Sequence, residues 1–399
     1  MKRWIALAVT LILGCVLTGC GSSRILPVRR EINEIEMVRA LGLDQGSENA
    51  GNIRITASID KLGGTTESET SSKGEGGGGG GGTGNVVVMS REAATVANGM
   101  NEMQFGVDYT IFWGHMGFII FGEDAAREGI AKYIDALARN NELRLNSNVF
   151  VAEGISAEEL MNKTKESDSV LADQLQALIT SAEALSTGAP VDLLGLVNML
   201  DNPSTAGVVP ILALEEEDGK PVVVIKGYGV IKDDKLVDTI ETPDSYGVAI
   251  LRNRMNEHIV EVELEDGNRV ALELLESACK VRPVFEGEEL REIVFEVHFT
   301  TNVTEIQSQV EFTEDLLSEL AKLQSDQVKG QLEELIGRAQ DLKADFLGAG
   351  QALEAQHPLR WRKMKDDWNE TFGAIPIRVE IESKVNRTYN IREPNGEGR

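Results

Sequence analysis

The chain has 399 residues, a formal net charge of −26, 42% hydrophobic residues and only 5% aromatic residues. This length allows two or three domains, and the composition predicts aliphatic, alanine-rich cores. A surface this acidic repels phosphate backbones and anionic headgroups, which argues against nucleic-acid binding and against charge-driven adsorption to a bilayer.

The first twenty residues have the organisation of a lipoprotein signal peptide. Residues 1–3 form a basic n-region, and residues 4–17 form an apolar segment that is too short for a comfortable membrane span. The segment ends in Leu17-Thr18-Gly19-Cys20, the pattern called a lipobox. We therefore predict a signal peptide over 1–19, diacylglycerol on the Cys20 thiol and a further acyl chain on its exposed amine. The alternative is an ordinary secretory signal in which Cys20 is incidental.

The first half of the mature chain alternates strand and helix patterns. Apolar residues alternate at Ile53, Ile55, Ala57 and Ile59, which predicts a half-buried strand. A glycine-rich, disordered loop is expected over 63–84. The next predicted elements are a strand at 86–89, a helix capped by Ser90 and running to Met103, and a strand over 109–121. They are followed by a helix with Tyr133 and Leu137 on one face, a strand at 149–152, a helix with Ser156 and Glu159 as capping box, and helices at 170–185 and 191–200.

The second half has strands first and helices later. Strand patterns occupy 221–225, 228–232, 261–264, 270–274, 281–285 and 293–299. A helical pattern runs from Phe312 to about Leu347, and its apolar residues step by four and three. Three heptads are short for a coiled coil, so we expect a long helix laid across a sheet. A helix near 359–368 precedes a final strand with Ile375, Ile377, Val379 and Ile381.

These patterns predict an α+β protein with two to three mixed domains. An N-terminal domain over 20–203 should have alternating strands and helices. A C-terminal domain over 204–390, divisible near residue 300, should combine an antiparallel sheet with a long helix. Residues 391–399 should form a disordered tail.

Candidate catalytic residues are scarce. The four histidines show no metal-ligand spacing, His115 is expected to be a hydrogen-bonded strand residue, and Cys279 is expected to be a buried small hydrophobe. Neither a cofactor nor a metal is predicted, and the protein is not expected to be an enzyme.

One basic and aromatic patch stands out in the acidic chain. Trp361 and Trp368 are seven residues apart on a predicted helix that also carries Arg362 and Lys365. This patch could meet a partner subunit or the bilayer interface. Alternatively, both tryptophans could be core residues with solvated cations around them.

Several segments together resemble the Ger(x)C family, the C subunits of spore germinant receptors. The segments that carry the resemblance are Arg29–Glu34, Ala40–Asp44, Gly114-His115, Phe121–Glu123, Arg144–Ala152, Gly229–Leu236, Phe346–Gly350, His357-Pro358 and Trp361–Trp368. They keep their order over nearly the whole mature chain. The family often has a Trp-Asp pair just after the lipidated cysteine, whereas this chain has Gly21-Ser22.

The resemblance implies a three-domain lipoprotein on the outer face of the spore inner membrane. It also implies a polytopic A-type subunit and a transporter-like B-type subunit as partners, in a receptor that senses nutrients and starts germination. A solute-binding lipoprotein of a transporter is the main alternative, and it should show two similar lobes. A cell-wall hydrolase would need catalytic residues that the sequence does not reveal.

Overall fold

The computed structural model describes residues 35–47, 51–61, 86–166, 170–202, 204, 206–307 and 313–386. The predicted signal peptide, Cys20, the glycine-rich loop 63–84 and the tail 391–399 lie outside these ranges. The corresponding predictions therefore stay predictions.

The described residues form two β-sheets. The first sheet has nine strands, in the order β3-β2-β1-β5-β6-β7-β8-β9, with the short β4 paired to β1. The second has four strands, in the order β10-β11-β12-β13. The strands are β1 (Ile35–Gln45), β2 (Ile53–Lys61), β3 (Val86–Ala93), β4 (Thr110–Phe112), β5 (Phe118–Gly122), β6 (Asn148–Ala152), β7 (Gly207–Glu217), β8 (Lys220–Lys232), β9 (Lys235–Glu241), β10 (Ile259–Glu263), β11 (Arg269–Glu286), β12 (Glu289–Ile306) and β13 (Ile377–Asn386).

Helices cover both faces of the first sheet and one face of the second. They are α1 (Val96–Met103), α2 (Glu123–Glu128), α3 (Ala131–Arg139), α4 (Ala157–Lys163), α5 (Leu171–Ala184), α6 (Leu193–Leu200), α7 (Ser245–Leu251), α8 (Glu314–Asp341), α9 (Ala349–Gln356), α10 (Pro358–Met364) and α11 (Trp368–Ala374).

The centre of the first sheet is parallel because β1, β5 and β6 run in one direction. Successive side chains of a strand point to opposite faces. Ile119 and Phe121 of β5 accordingly join the core under α1, α3 and α6. Phe118 and Ile120 join a separate core under α4 and α5. Burial on both faces explains why the sequence of β5 is continuously apolar.

The long helix α8 lies on the second sheet, as the sequence predicts. Thr313 caps it, accepting a hydrogen bond from the Leu316 N–H at 3.2 Å. Val328, Leu332 and Leu335 of its apolar stripe are buried in one core with Phe295 of β12. The helix ends at Asp341, six residues earlier than the pattern indicates.

The α+β class is confirmed, including an alternating N-terminal region and a C-terminal sheet with a long helix. One detail differs: β13 pairs with β12 in parallel. The helices α8 to α11 lie between these two strands in the sequence and form the crossover that a parallel pair requires.

Three local predictions are wrong. Ser90 does not cap a helix, since it lies in β3 and α1 begins after Thr95. Residues 109–121 form the two strands β4 and β5 with a turn between them, and His115 is exposed in that turn. The predicted strand pair 221–225 and 228–232 is the single strand β8. For Ser90 and for residues 109–121, pairing with the distant strand β2 or β1 overrides the local pattern, whereas β8 is continuous because it pairs with its sequence neighbours β7 and β9.

The domain boundaries near residues 203 and 300 stay predictions. The first sheet continues past residue 203 through β7, β8 and β9. One core cluster contains Tyr228 and Ile240 of that sheet together with Phe295 and Val379 of the second sheet. The two sheets therefore share apolar packing.

Candidate functional site

The structure buries the two tryptophans that the sequence offers as candidates for a partner or membrane surface. Trp361 is 3% exposed and Trp368 is fully buried. Their rings meet edge to face, with centroids 5.2 Å apart. The surface assignment is thus corrected for both tryptophans, because each large apolar ring fills the core beneath the end of the second sheet.

A buried carboxylate explains the position of Trp368. The indole Nε1 of Trp368 donates to Oδ2 of Asp345 at 2.9 Å. The Asp345 carboxylate also accepts hydrogen bonds from the backbone N–H groups of Gly348, Ala349 and Gly350 at the start of α9. Asp345 therefore joins the helix α9 to the tryptophan pair. The spacing of an aspartate before a Gly-Ala-Gly segment could have indicated this cap from the sequence.

The cations around the tryptophans divide into two groups. Arg360 and Lys363 are held by the turn between β11 and β12: Arg360 donates to the Gly287 carbonyl at 2.9 Å, and Lys363 pairs with Glu288 at 2.9 Å. Arg362 and Lys365 are exposed, and neither forms an ion pair with another residue that the structure describes.

Leu359 lies beside these cations on α10 and is 72% exposed. We call Leu359, Arg362 and Lys365 the C-terminal surface. It combines one apolar side chain with two uncommitted positive charges in a strongly acidic protein. Such a set suits contact with another macromolecule, since its charges are not used to stabilise the fold.

A cavity of about 550 Å³ lies between α7, the start of β10, β11 and α8. Tyr246, Met255, His258 and Phe299 contribute to its wall. The His258 ring lies 4.0 Å from the Tyr246 ring, centroid to centroid. Burial lowers the pKa of His258 to about 4, so the imidazole is neutral at pH 7. The cavity could hold a small, largely apolar molecule, and its lining residues follow no local pattern by which sequence reasoning could have located it.

A second buried aspartate organises the N-terminal region. Asp44 accepts hydrogen bonds from the N–H groups of Ala157 and Glu158, at 2.8 and 3.0 Å, at the start of α4. Ser156 caps the same helix by accepting from the Glu159 N–H at 3.0 Å, as the capping prediction requires. Burial is the main reason why the pKa of Asp44 rises to about 6, and the nearby Glu158 carboxylate adds to it.

Metal and thiol chemistry find little support among these residues. No group of three or more His, Cys, Asp or Glu side chains in the described part of the chain is placed to hold a metal ion. Cys279 is buried, as predicted, and burial raises the pKa of its thiol to about 12, which makes it a poor nucleophile. Within the same ranges, none of the helices has the length and apolarity that a bilayer span demands.

The comparisons with known proteins cover almost the whole chain. Residues 28–214 match the model described as the spore germination protein N-terminal domain, and residues 226–389 match the model described as spore germination B3/GerAC like, C-terminal. Spore germination protein KC of Bacillus subtilis is 22% identical over 414 residues, which covers 97% of each chain. Spore germination protein B3 of the same organism is 20% identical and covers 89% of this chain and 92% of its own length.

A solved structure shares the fold. The crystal structure of the GerBC protein superposes with a TM-score of 0.55, at 19% sequence identity, over 86% of this chain and 96% of that chain. The N-terminal family model matches first along the chain and the C-terminal model second, the same order as the segments that resemble the family. This chain is a member of the GerC family of spore germination proteins.

Proposed function

We propose that the protein is a lipid-anchored subunit of a nutrient germinant receptor, is required to start spore germination and acts by assembly rather than by catalysis. The observation that carries this proposal is the in-order match of both germination-protein domain models across the chain. The buried Cys279 and the absence of a metal-holding group among the described residues are consistent with a role without catalysis.

The proposed anchor is Cys20. Two or three acyl chains on this residue would hold the protein on the outer face of the spore inner membrane, because one chain alone binds a bilayer only marginally. The proposed partners are a polytopic A-type subunit and a transporter-like B-type subunit. Arg362 and Lys365 are the side chains that we assign to partner contact.

The anchor is tested by changing Cys20→Ala and labelling the cells with a fatty acid. We expect the variant to take up no label, to stay as an uncleaved precursor and to fail to restore nutrient-triggered germination in spores that lack the protein. Cys15→Ala is the matched control, because Cys15 lies in the apolar segment that cleavage removes. Label on the Cys20→Ala protein would refute the anchor assignment.

The partner surface is tested with the double variant Arg362→Glu and Lys365→Glu. Both side chains are exposed, so the melting temperature should change little. Receptor assembly, measured by co-purification of the membrane subunits, should fall. The matched control reverses two other exposed lysines, Lys280→Glu and Lys322→Glu, and should assemble normally. Equal assembly by both double variants would remove the C-terminal surface from the proposal.

The cavity beside His258 allows a test of the alternative, a solute-binding lipoprotein. In that case a nutrient should raise the melting temperature of the protein, and Tyr246→Ala should abolish the effect. We expect no such shift, since the two sheets differ in size and topology and do not form two similar lobes.

A further inference from the structure

Five large apolar side chains are exposed at one edge of the first sheet, the end at which its parallel strands β1 and β6 begin. We call them the apolar edge: Phe105, Tyr109, Phe112, Leu145 and Leu194. Phe105 is 83% exposed, and the three aromatic members are the only exposed Phe, Tyr or Trp side chains in the described ranges. Exposed apolar side chains are ordinary when scattered, but a concentration at one place marks an interaction surface.

The strand pairing brings the aromatic members together. β4 runs parallel to the first residues of β1, so that Phe112 lies level with Met37. Ile111 points into the core, and the alternation of the strand therefore turns Phe112 outwards. The Gln104 side chain donates to the Tyr109 carbonyl and accepts from the Ile111 N–H, which fixes the turn that carries Phe105 against β4.

The two leucines lie at the same edge. Leu145 is in the turn that precedes β6, whose first residue Asn148 is level with Phe118 of β5. The Leu194 N–H donates to the Leu145 carbonyl at 2.9 Å, which joins the start of α6 to that turn. A Cβ added to Gly114 would meet the Phe112 ring at 2.7 Å and the Glu142 carbonyl oxygen at 3.2 Å. The Phe112 ring thus lies next to the same turn.

The chain enters the fold at this edge. β1 begins at Ile35, which pairs with Thr110 of β4. Fourteen residues lie between Cys20 and Ile35. A segment of that length spans at most about 50 Å, and it joins the fold at this edge, so this edge is the part of the described fold that lies nearest to Cys20 along the chain.

Charged side chains of both signs lie beside the apolar edge. Arg144 is exposed there, as are Asp108 and Glu142. Attraction to anionic headgroups is therefore weak, and insertion would have to come from the apolar side chains.

We propose that the apolar edge inserts into the interfacial layer of the bilayer that holds the Cys20 lipid, and that this second contact sets the orientation of the protein on the membrane. The inference rests on the anchor proposed above. Aromatic side chains favour the membrane interface, and these side chains project from a strand, a helix and the turns between such elements. A bilayer surface is the occupant that this shape and the nearby tether favour.

The test uses the full-length lipidated protein reconstituted into vesicles of phosphatidylethanolamine and phosphatidylglycerol. A nitroxide is attached to Cys in the variant Phe105→Cys, and its collision rates with lipid-soluble oxygen and with a water-soluble nickel chelate are compared. Leu275→Cys is the matched control, because Leu275 is also an exposed apolar residue but lies in β11 of the second sheet. Leu194→Cys gives a second position if Phe105→Cys does not fold.

We expect the ratio of the oxygen collision rate to the nickel-chelate collision rate to be several-fold higher for the label at position 105 or 194 than for the label at position 275. Labels that are equally open to the nickel chelate at all positions, on protein that floats with the vesicles, would overturn the orientation while leaving the anchor intact. Protein that fails to float would instead refute the anchor. A label shielded from both reagents only when the membrane subunits are present would assign the edge to a partner protein and also overturn the proposal.

Discussion

At the scale of single residues, Asp345 and Asp44 have the same structural task. Each is a buried carboxylate that accepts hydrogen bonds from N–H groups at the start of a helix. The positive end of the helix dipole favours a carboxylate at this place. Each also connects elements that are far apart in the sequence, so a substitution should affect more than one element.

Asp345→Ala should lower the free energy of unfolding by about 2–4 kcal/mol, because three backbone donors and the Trp368 indole would lose their acceptor in a buried place. Urea denaturation of the purified protein measures this change. Trp368→Phe is the control: it loses one hydrogen bond but keeps most of the ring, and should lower stability less. A midpoint for Asp345→Ala equal to that of the parent protein would contradict the role of this carboxylate.

Asp44 should make stability depend on pH. Burial raises its pKa from the ordinary value of 3.8 to about 6, so between these values the folded protein holds a proton that the unfolded chain has lost. The Asp44 contribution to the free energy of unfolding therefore falls as the pH rises from about 4 to about 6, and is constant above that range. The limit is about 3 kcal/mol, since one pKa unit corresponds to about 1.4 kcal/mol.

The comparison is between the parent protein and Asp44→Asn, denatured in urea at several pH values. As the pH rises through that window, the parent protein should lose free energy of unfolding relative to the Asn variant, because Asn cannot ionise. Glu159→Gln, an exposed neighbour at the start of α4, serves as control. A difference that does not vary with pH would show that the pKa of Asp44 is ordinary.

At the scale of elements, one glycine in α8 and one in α9 test two opposite surroundings. Gly330 lies on the exposed side of α8, and a Cβ added there would meet no atom within 4 Å. Gly330→Ala should raise the free energy of unfolding by about 0.5–1 kcal/mol, since alanine restricts the unfolded chain and favours the helix.

Gly350→Ala in α9 is the opposite case. A Cβ at this position would meet the Trp361 and Trp368 rings at 2.8 Å and the Asp345 carboxylate at 3.0 Å. This variant should be destabilised, because the core around the tryptophans cannot give way without breaking the Asp345 hydrogen bonds. Thermal melts of both variants measure the contrast. Stabilisation of both would indicate that the packing at Gly350 is loose.

At the scale of the whole molecule, the connection between β2 and β3 can be shortened. β2 ends at Lys61 and β3 begins at Val86, and the two strands pair directly. Deleting Gly76–Gly82 should change the melting temperature very little, because loop-closure entropy varies only with the logarithm of loop length and the change is about 0.3 kcal/mol. Germination should also be retained.

Ile59→Ala, in the buried part of β2, is the control that shows the melting assay responds to damage in this hairpin. A large loss of stability or germination in the deletion variant would assign the glycines a role that their composition does not suggest.

Features that depend on neighbouring residues can be predicted from the sequence. The alternation at 53–59 predicts β2, the four-and-three spacing of Val328, Leu332 and Leu335 predicts the buried side of α8, and the apolar surroundings of Cys279 predict its burial. The segments that resemble the family, taken in their order along the chain, also identify it from the sequence, since a lipobox and short motifs are local patterns.

Features that depend on distant residues are visible only in the three-dimensional structure. Residues 90–93 form a strand because they pair with 53–56 of β2, although Ser90 resembles a helix cap. Trp361 and Trp368 are core residues because Asp345 and the second sheet enclose them. The apolar edge exists only because the parallel pairing of β4 with β1 and of β6 with β5 brings residues 105–112, 145 and 194 to the same end of the first sheet. Periodicity within one segment carries no information about such contacts, because they are set by which strands pair and in which direction.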